Sequence, residues 1–139
     1  MVRVMLFALY LVALLYLLFF AEGLGRNNVG GYRYNLVPLN EITRYWNLRS
    51  VYPRAFVINL LCNIVAFMPF GYFIALFADR KLSFFMGTLV TFMFSLMIES
   101  VQLVLMVGSF DVDDLILNTL GGILGILGYR LSRVLRKYL

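Results

Sequence analysis

The stretch FSLMIESVQLVLMVG, residues 94–108, reads as part of a membrane span, yet it carries Glu99 and, three residues later, Gln102. A carboxyl group at the centre of a bilayer costs about 3 kcal/mol on insertion scales. The rest of the chain supports the membrane reading all the same. Hydrophobic residues make up 63% of its 139 residues and charged residues 14%. Soluble chains are nearer 45–50% and about 25%. A soluble core of this size has no room for that apolar excess. The net charge is +5, but the basic residues are scattered among apolar runs and form no nucleic-acid-binding patch. There is no histidine, which removes the commonest metal ligand and a frequent general base. The single Cys62 excludes an intrachain disulfide.

Working outward, the sequence predicts an all-α integral membrane four-helix bundle. Its spans fall at approximately 4–21, 56–77, 83–106 and 113–131, with an external loop at 22–55. Arg3 before the first run raises the question of a signal peptide, but the run is too long and AEG (residues 21–23) is a poor cleavage site. A retained helix is therefore expected. The fourth apolar run, Leu115 to Tyr129, is short and must borrow length from its flank, where Arg130, Arg133, Arg136 and Lys137 can snorkel. These residues, with Arg3, Arg80 and Lys81, favour both termini in the cytoplasm of a bacterial cell membrane. GSFDVDD (residues 108–114), with three aspartates and no Lys or Arg, is then external. Within the first loop, Gly25–Asn35 is turn-rich. Pro38 can start a short amphipathic helix carrying Leu39, Ile42 and Trp46 along one face at the interface.

This topology assigns depths to the polar residues. Asn59 and Asn63 lie in the outer half of span two. Ser95, Glu99 and Gln102 share a face near the outer end of span three, and Asp111, Asp114 and Asn118 form a stripe where span four begins. The sequence thus predicts one polar network at a common depth, opening outward. In it Glu99 would meet Asn63, Asn118 and a loop arginine such as Arg44, Arg49 or Arg54. The ligand-binding candidates are Asn35, Arg44, Arg54, Asn59, Asn63, Glu99, Gln102, Asp111, Asp114 and Asn118. No metal or cofactor is expected, since three aspartates without a fixed loop spacing are a weak cation signal. The spacing of Gly121, Gly125 and Gly128 permits close helix packing, either within the chain or with a partner helix.

The stretches NLVPLNEI (35–42), NLLCNIVAFMPFGYFIAL (59–76), SLMIESVQL (95–103) and FDVDDLILNTLGGILG (110–125) resemble the VanZ-like family of bacterial membrane proteins. Residues matching its motifs include Asn35, Pro38, Asn59, Asn63, Pro69, Gly71, Glu99, Gln102, Asp111, Asp114, Asn118 and Gly121. Where many relatives carry an arginine before the SFD segment this chain has Gly108, so any role of that arginine does not carry over. The resemblance implies a four-helix membrane protein associated with teicoplanin-type glycopeptide resistance. Three functional readings follow. The first is non-enzymatic binding of an outer-leaflet amphiphile: membrane lipid, a lipid-linked cell-wall precursor or a lipoglycopeptide. The second is an enzyme on a lipid-linked substrate with Glu99 as general acid or base. The third is a structural partner using the glycine face.

Overall fold

The computed structural model describes residues 1–20, 32–78, 81 and 83–138. Within these the regular structure is helical apart from one two-residue ladder. Helix α1 spans Val2–Phe20, α2 Asn40–Leu48, α3 Pro53–Ala78, α4 Phe84–Val104 and α5 Val112–Leu135. All but α2 are long and apolar enough to cross a membrane. Their outer surfaces suit lipid: of α1 only Leu14 and Leu18 are fully buried, and most of its other apolar side chains are exposed. The protein is an integral membrane four-helix bundle with a short amphipathic helix in its first loop. The expected turn-rich stretch lies, up to Gly31, outside the described residues, as do Arg26 and Arg80.

Helix ends differ from the expected spans for physical reasons. Helix α4 stops at Val104 because Met106 takes a left-handed conformation at φ 54°, and the amide of Val107 closes back on the carbonyl of Gln102 at 3.1 Å. That is a helix-ending motif usually built on glycine. Helix α5 is not short: it continues to Leu135 through its basic flank and so reaches 24 residues. Helix α3 carries a π-turn over Val57–Leu61, and further on Pro69, which removes one helical hydrogen bond.

Glycine sets the closest packing. A Cβ on Gly121 would strike the carbonyl of Ile64, and one on Gly125 the carbonyl of Met68, so α5 rests directly on the backbone of α3. Gly122 faces Gly71 of α3 and the side chain of Thr91 on α4, which brings three helices together. The glycine face at Gly121 and Gly125 thus packs on α3 of the same chain. Gly128 has no heavy atom within 4 Å of its would-be Cβ. Elsewhere aromatic rings fill the α1–α3–α4 seam. Phe70 and Phe94 stack with centroids 4.3 Å apart, Phe7 meets Phe73 at 5.2 Å, and Tyr10 donates from its hydroxyl to the Ala66 carbonyl at 2.6 Å.

Candidate functional site

The end of α1, the start of α3, the end of α4 and the start of α5 meet at one end of the bundle, beneath α2. The junction is held by hydrogen bonds that take up most of the polar groups singled out by the sequence. A two-residue parallel ladder pairs Tyr34 with Phe110 and Asn35 with Asp111. The Asn35 amide donates to Asp111 Oδ1 at 3.0 Å, and the same oxygen accepts the backbone N–H of Asp113 at 2.8 Å, capping α5. Burial is the main reason the Asp111 carboxyl sits above the usual aspartate range; neighbouring Asp113 and Glu41 add to the rise.

Asp113 performs the least expected task. It is 1% exposed, and its two oxygens accept three backbone N–H groups at the start of α2. The donors are Leu39 at 2.5 Å, Glu41 at 2.7 Å and Ile42 at 3.0 Å. Leu39 itself is left-handed, at φ 65°, and α2 has no cap from its own side chains. The amide of Asn40 uses the Val37 carbonyl at 3.4 Å. The first turn of α2, whose donors have no partner inside the helix, is thus satisfied almost wholly by a carboxylate from α5. In the sequence Asp113 shows only as a charge near the start of its own helix, 71 or more residues from the amides it caps. The sequence hides the need, because PLNEI offers Asn40 as a capping residue, whereas the cap position falls on Leu39 and no loop side chain fills it.

The π-turn shapes the wall beside it. Asn59 Nδ2 donates to the Ala55 carbonyl at 2.8 Å. Asn63 Nδ2 donates both to the Asn59 carbonyl at 3.2 Å and to Asp114 Oδ1 at 2.5 Å, tying α3 to α5. Gln102 Nε2 donates to the Leu18 carbonyl at 2.7 Å and so clamps the end of α1 to α4.

These groups border a groove of about 940 Å³. Asn35, Arg44, Asn59, Asn63, Gln102, Asp111 and Asp114, all candidates from the sequence, line it. Arg33, Glu41, Tyr45 and Asp113 also line it and were not among the candidates. Leu17 and Leu18 of α1, Ile58, Val65 and Ala66 of α3, and Leu117 of α5 supply apolar wall.

Three expected residues do not line the groove. Arg54 is exposed and outside the wall. Glu99, 3% exposed, lies behind the wall, where its Oε2 accepts the backbone N–H of Asp111 at 3.1 Å. Asn118 is buried deeper and donates to Ser95 Oγ at 2.9 Å. The expected direct contacts of Glu99 with Asn63 and Asn118 are replaced by these pairings. The loop arginines are also engaged differently than expected. Arg44 binds Glu41 at 3.1 Å, and Arg49 donates to the Trp46 carbonyl at 2.6 Å while lying over the Trp46 ring. Among the described residues no cluster of His, Cys, Asp and Glu is arranged to hold a metal ion.

A family model described as VanZ/LLP1 matches residues 7–133. Protein VanZ of Enterococcus faecium is 30% identical over 127 residues, which cover 91% of this chain and 73% of that protein. No solved structure matches.

Proposed function

The chain belongs to the VanZ/LLP1 family, and from that premise we propose that it binds an outer-leaflet amphiphile, a lipid-linked cell-wall precursor or a lipoglycopeptide, and so contributes to teicoplanin-type glycopeptide resistance or envelope homeostasis. The observation that carries this reading is the groove itself. Polar groups of the loop, the first turns of α3 and the start of α5 line it together with the aliphatic side chains of Leu17, Leu18, Ile58 and Val65. A volume of about 940 Å³ suits a head group with the first part of a chain. Such a site needs no reaction: the head meets the polar groups and the tail stays along the helices.

The outward aspect of the groove rests on charge. Arg130, Arg133, Arg136 and Lys137 cluster toward one end of α5 and the three aspartates lie at the other, which supports cytoplasmic termini. Antibody access to a tag at each terminus, in intact and permeabilised cells, tests that orientation.

The functional test is equilibrium binding to the purified chain in nanodiscs, with an acyl-bearing lipoglycopeptide and a polyprenyl-linked wall precursor as ligands. Saturable binding of one of them, weakened in Arg44→Ala and Asn59→Leu, is expected. Non-saturable partitioning of both refutes the reading. Glu99 is not among the residues that line the groove, which favours this binding reading over direct proton transfer by that carboxyl.

A further inference from the structure

We propose that the end of the bundle opposite the groove is a docking surface for the anionic phospholipid head groups of the leaflet it reaches. This surface is separate from the groove and does not depend on what the groove holds.

Ionisable groups are divided between the two ends of the molecule. The described carboxylates, of Glu41, Glu99, Asp111, Asp113 and Asp114, all gather around α2 and the start of α5. The opposite end carries Arg3, Lys81, Arg130, Arg133, Arg136 and Lys137, and no Asp or Glu among the described residues. Helix packing places these cations at one level. Phe7 of α1 meets Phe77 of α3 with centroids 5.4 Å apart, so Arg3, one turn before Phe7, lies by the end of α3, which Lys81 follows. Asp79 and Arg80, neighbours in sequence outside the described residues, cancel in the charge count. Cations gathered without acids repel one another, and this end takes its counter-charge from outside the chain.

Depth identifies the source of that charge. The Arg130 guanidinium stands over the Phe84 ring, 5.5 Å from its centroid. Phe84 is the first residue of α4, a membrane span, so Arg130 sits where hydrocarbon gives way to head groups. From Arg130 to Leu135 the helix advances about 7.5 Å at its rise of 1.5 Å per residue. The head-group layer is about 5–8 Å thick on each side of a bilayer. The basic segment of α5 therefore occupies that layer. Its composition suits the place. Arg130, Arg136 and Lys137 are exposed and Arg133 is half-buried, while the intervening Leu131, Val134 and Leu135 are 61%, 50% and 52% exposed. An acidic soluble protein would leave those apolar side chains, and the 73% exposed Phe85 of α4, at the edge of water. A phospholipid answers both needs, with acyl chain against the apolar side chains and phosphate against the guanidinium forks.

The test uses the full chain in detergent micelles, titrated with an equal mixture of phosphatidylglycerol and phosphatidylcholine of identical acyl chains. Native mass spectrometry counts each retained lipid. Each basic residue near an anionic head group adds about fivefold to association, so the chain is expected to retain phosphatidylglycerol about tenfold or more over phosphatidylcholine. Arg130→Gln, Arg133→Gln, Arg136→Gln and Lys137→Gln combined is expected to bring that ratio near one. A circular-dichroism melt in phosphatidylcholine checks that this variant is folded. Where it is not, Arg136→Gln with Lys137→Gln decides, since both lie beyond the last residue of α5; it is expected to lower the ratio several-fold. Arg49→Gln with Arg54→Gln, at the other end, is expected to leave the ratio unchanged. Equal retention of the two lipids by the wild type, or an undiminished ratio in the α5 variants, overturns the proposal. A ratio that falls in the Arg49 and Arg54 variant instead moves the lipid contact to the other end and also overturns it. So does displacement of phosphatidylglycerol by soluble polyglutamate at equal charge concentration, which assigns the surface to an acidic protein.

Discussion

Replacing Asp113 with alanine should release the start of α2 from the bundle. The carboxylate receives three backbone N–H groups at 2.5, 2.7 and 3.0 Å from a site that is 1% exposed. A hydrogen bond to a charged group contributes about 1.5–3 kcal/mol. Part of that sum is recovered, because Leu39 and Asn40 are exposed and their neighbourhood can be rewetted. A net loss of about 3 kcal/mol is a reasonable centre, and it corresponds to roughly a hundredfold increase in local opening. Hydrogen exchange of the chain in nanodiscs, followed by mass spectrometry, reads this directly. Peptides covering Leu39 to Ile42 should exchange about a hundredfold faster, while the middle of α5 keeps its protection. Asp113→Asn should do nearly as much damage as alanine. Leu39 bonds Oδ1 and the other two amides bond Oδ2, so an amide nitrogen in either place meets donors with a donor. Unchanged exchange at Ile42, or an asparagine variant that behaves like the wild type, refutes the capping argument.

Three further outcomes follow from the geometry. Gly121→Leu and Gly125→Leu should each destabilise the bundle by about 3 kcal/mol or more by driving α5 off the α3 backbone, whereas Gly128→Leu should be neutral; detergent-unfolding midpoints that fail to separate the three contradict the packing. Gln102→Leu, which removes the bond to the Leu18 carbonyl, should cost about 1 kcal/mol and loosen the end of α1, visible as faster exchange there; protection equal to wild type contradicts the clamp. Because burial raises the folded-state pKa of Asp111, the folded chain holds that proton more tightly than the unfolded one. The associated stability is present below the ordinary aspartate value of 3.8 and is lost as pH rises through the raised pKa. Asn at this position does not titrate, so the melting temperature of the wild type relative to Asp111→Asn should fall as pH rises from about 4 to neutrality, and a flat difference contradicts the assignment.

The fold was legible because membrane spans announce themselves by composition and length. The amphipathic α2 was legible from the spacing of Ile42 and Trp46 and the proline before it. That Asn63 and Asp114 approach each other was also readable, since both lie near the starts of helices running in the same direction. Depth alone could not supply the pairing. It set Glu99 beside Asn63 and Asn118, yet Glu99 reaches the Asp111 backbone. A two-residue ladder such as Asn35–Asp111 has no periodicity to detect. The π-turn has no reliable signature either, although it moves Asn59 relative to an ideal helix. Charge was read too simply for the arginines: Arg44 and Arg49 find partners three residues away on their own helix before they can answer a distant carboxylate.

The cap on α2 has a consequence for the order of events at the ribosome. Leu39 leaves the exit tunnel long before Asp113, which follows it by 74 positions. Through that interval α1, the loop and α3 are present, but the first turn of α2 has no acceptor for its amides. A later span therefore completes a loop made well before it. A nascent chain arrested before Asp113 has an unfinished entrance, so the groove comes into being only once α5 has begun to emerge.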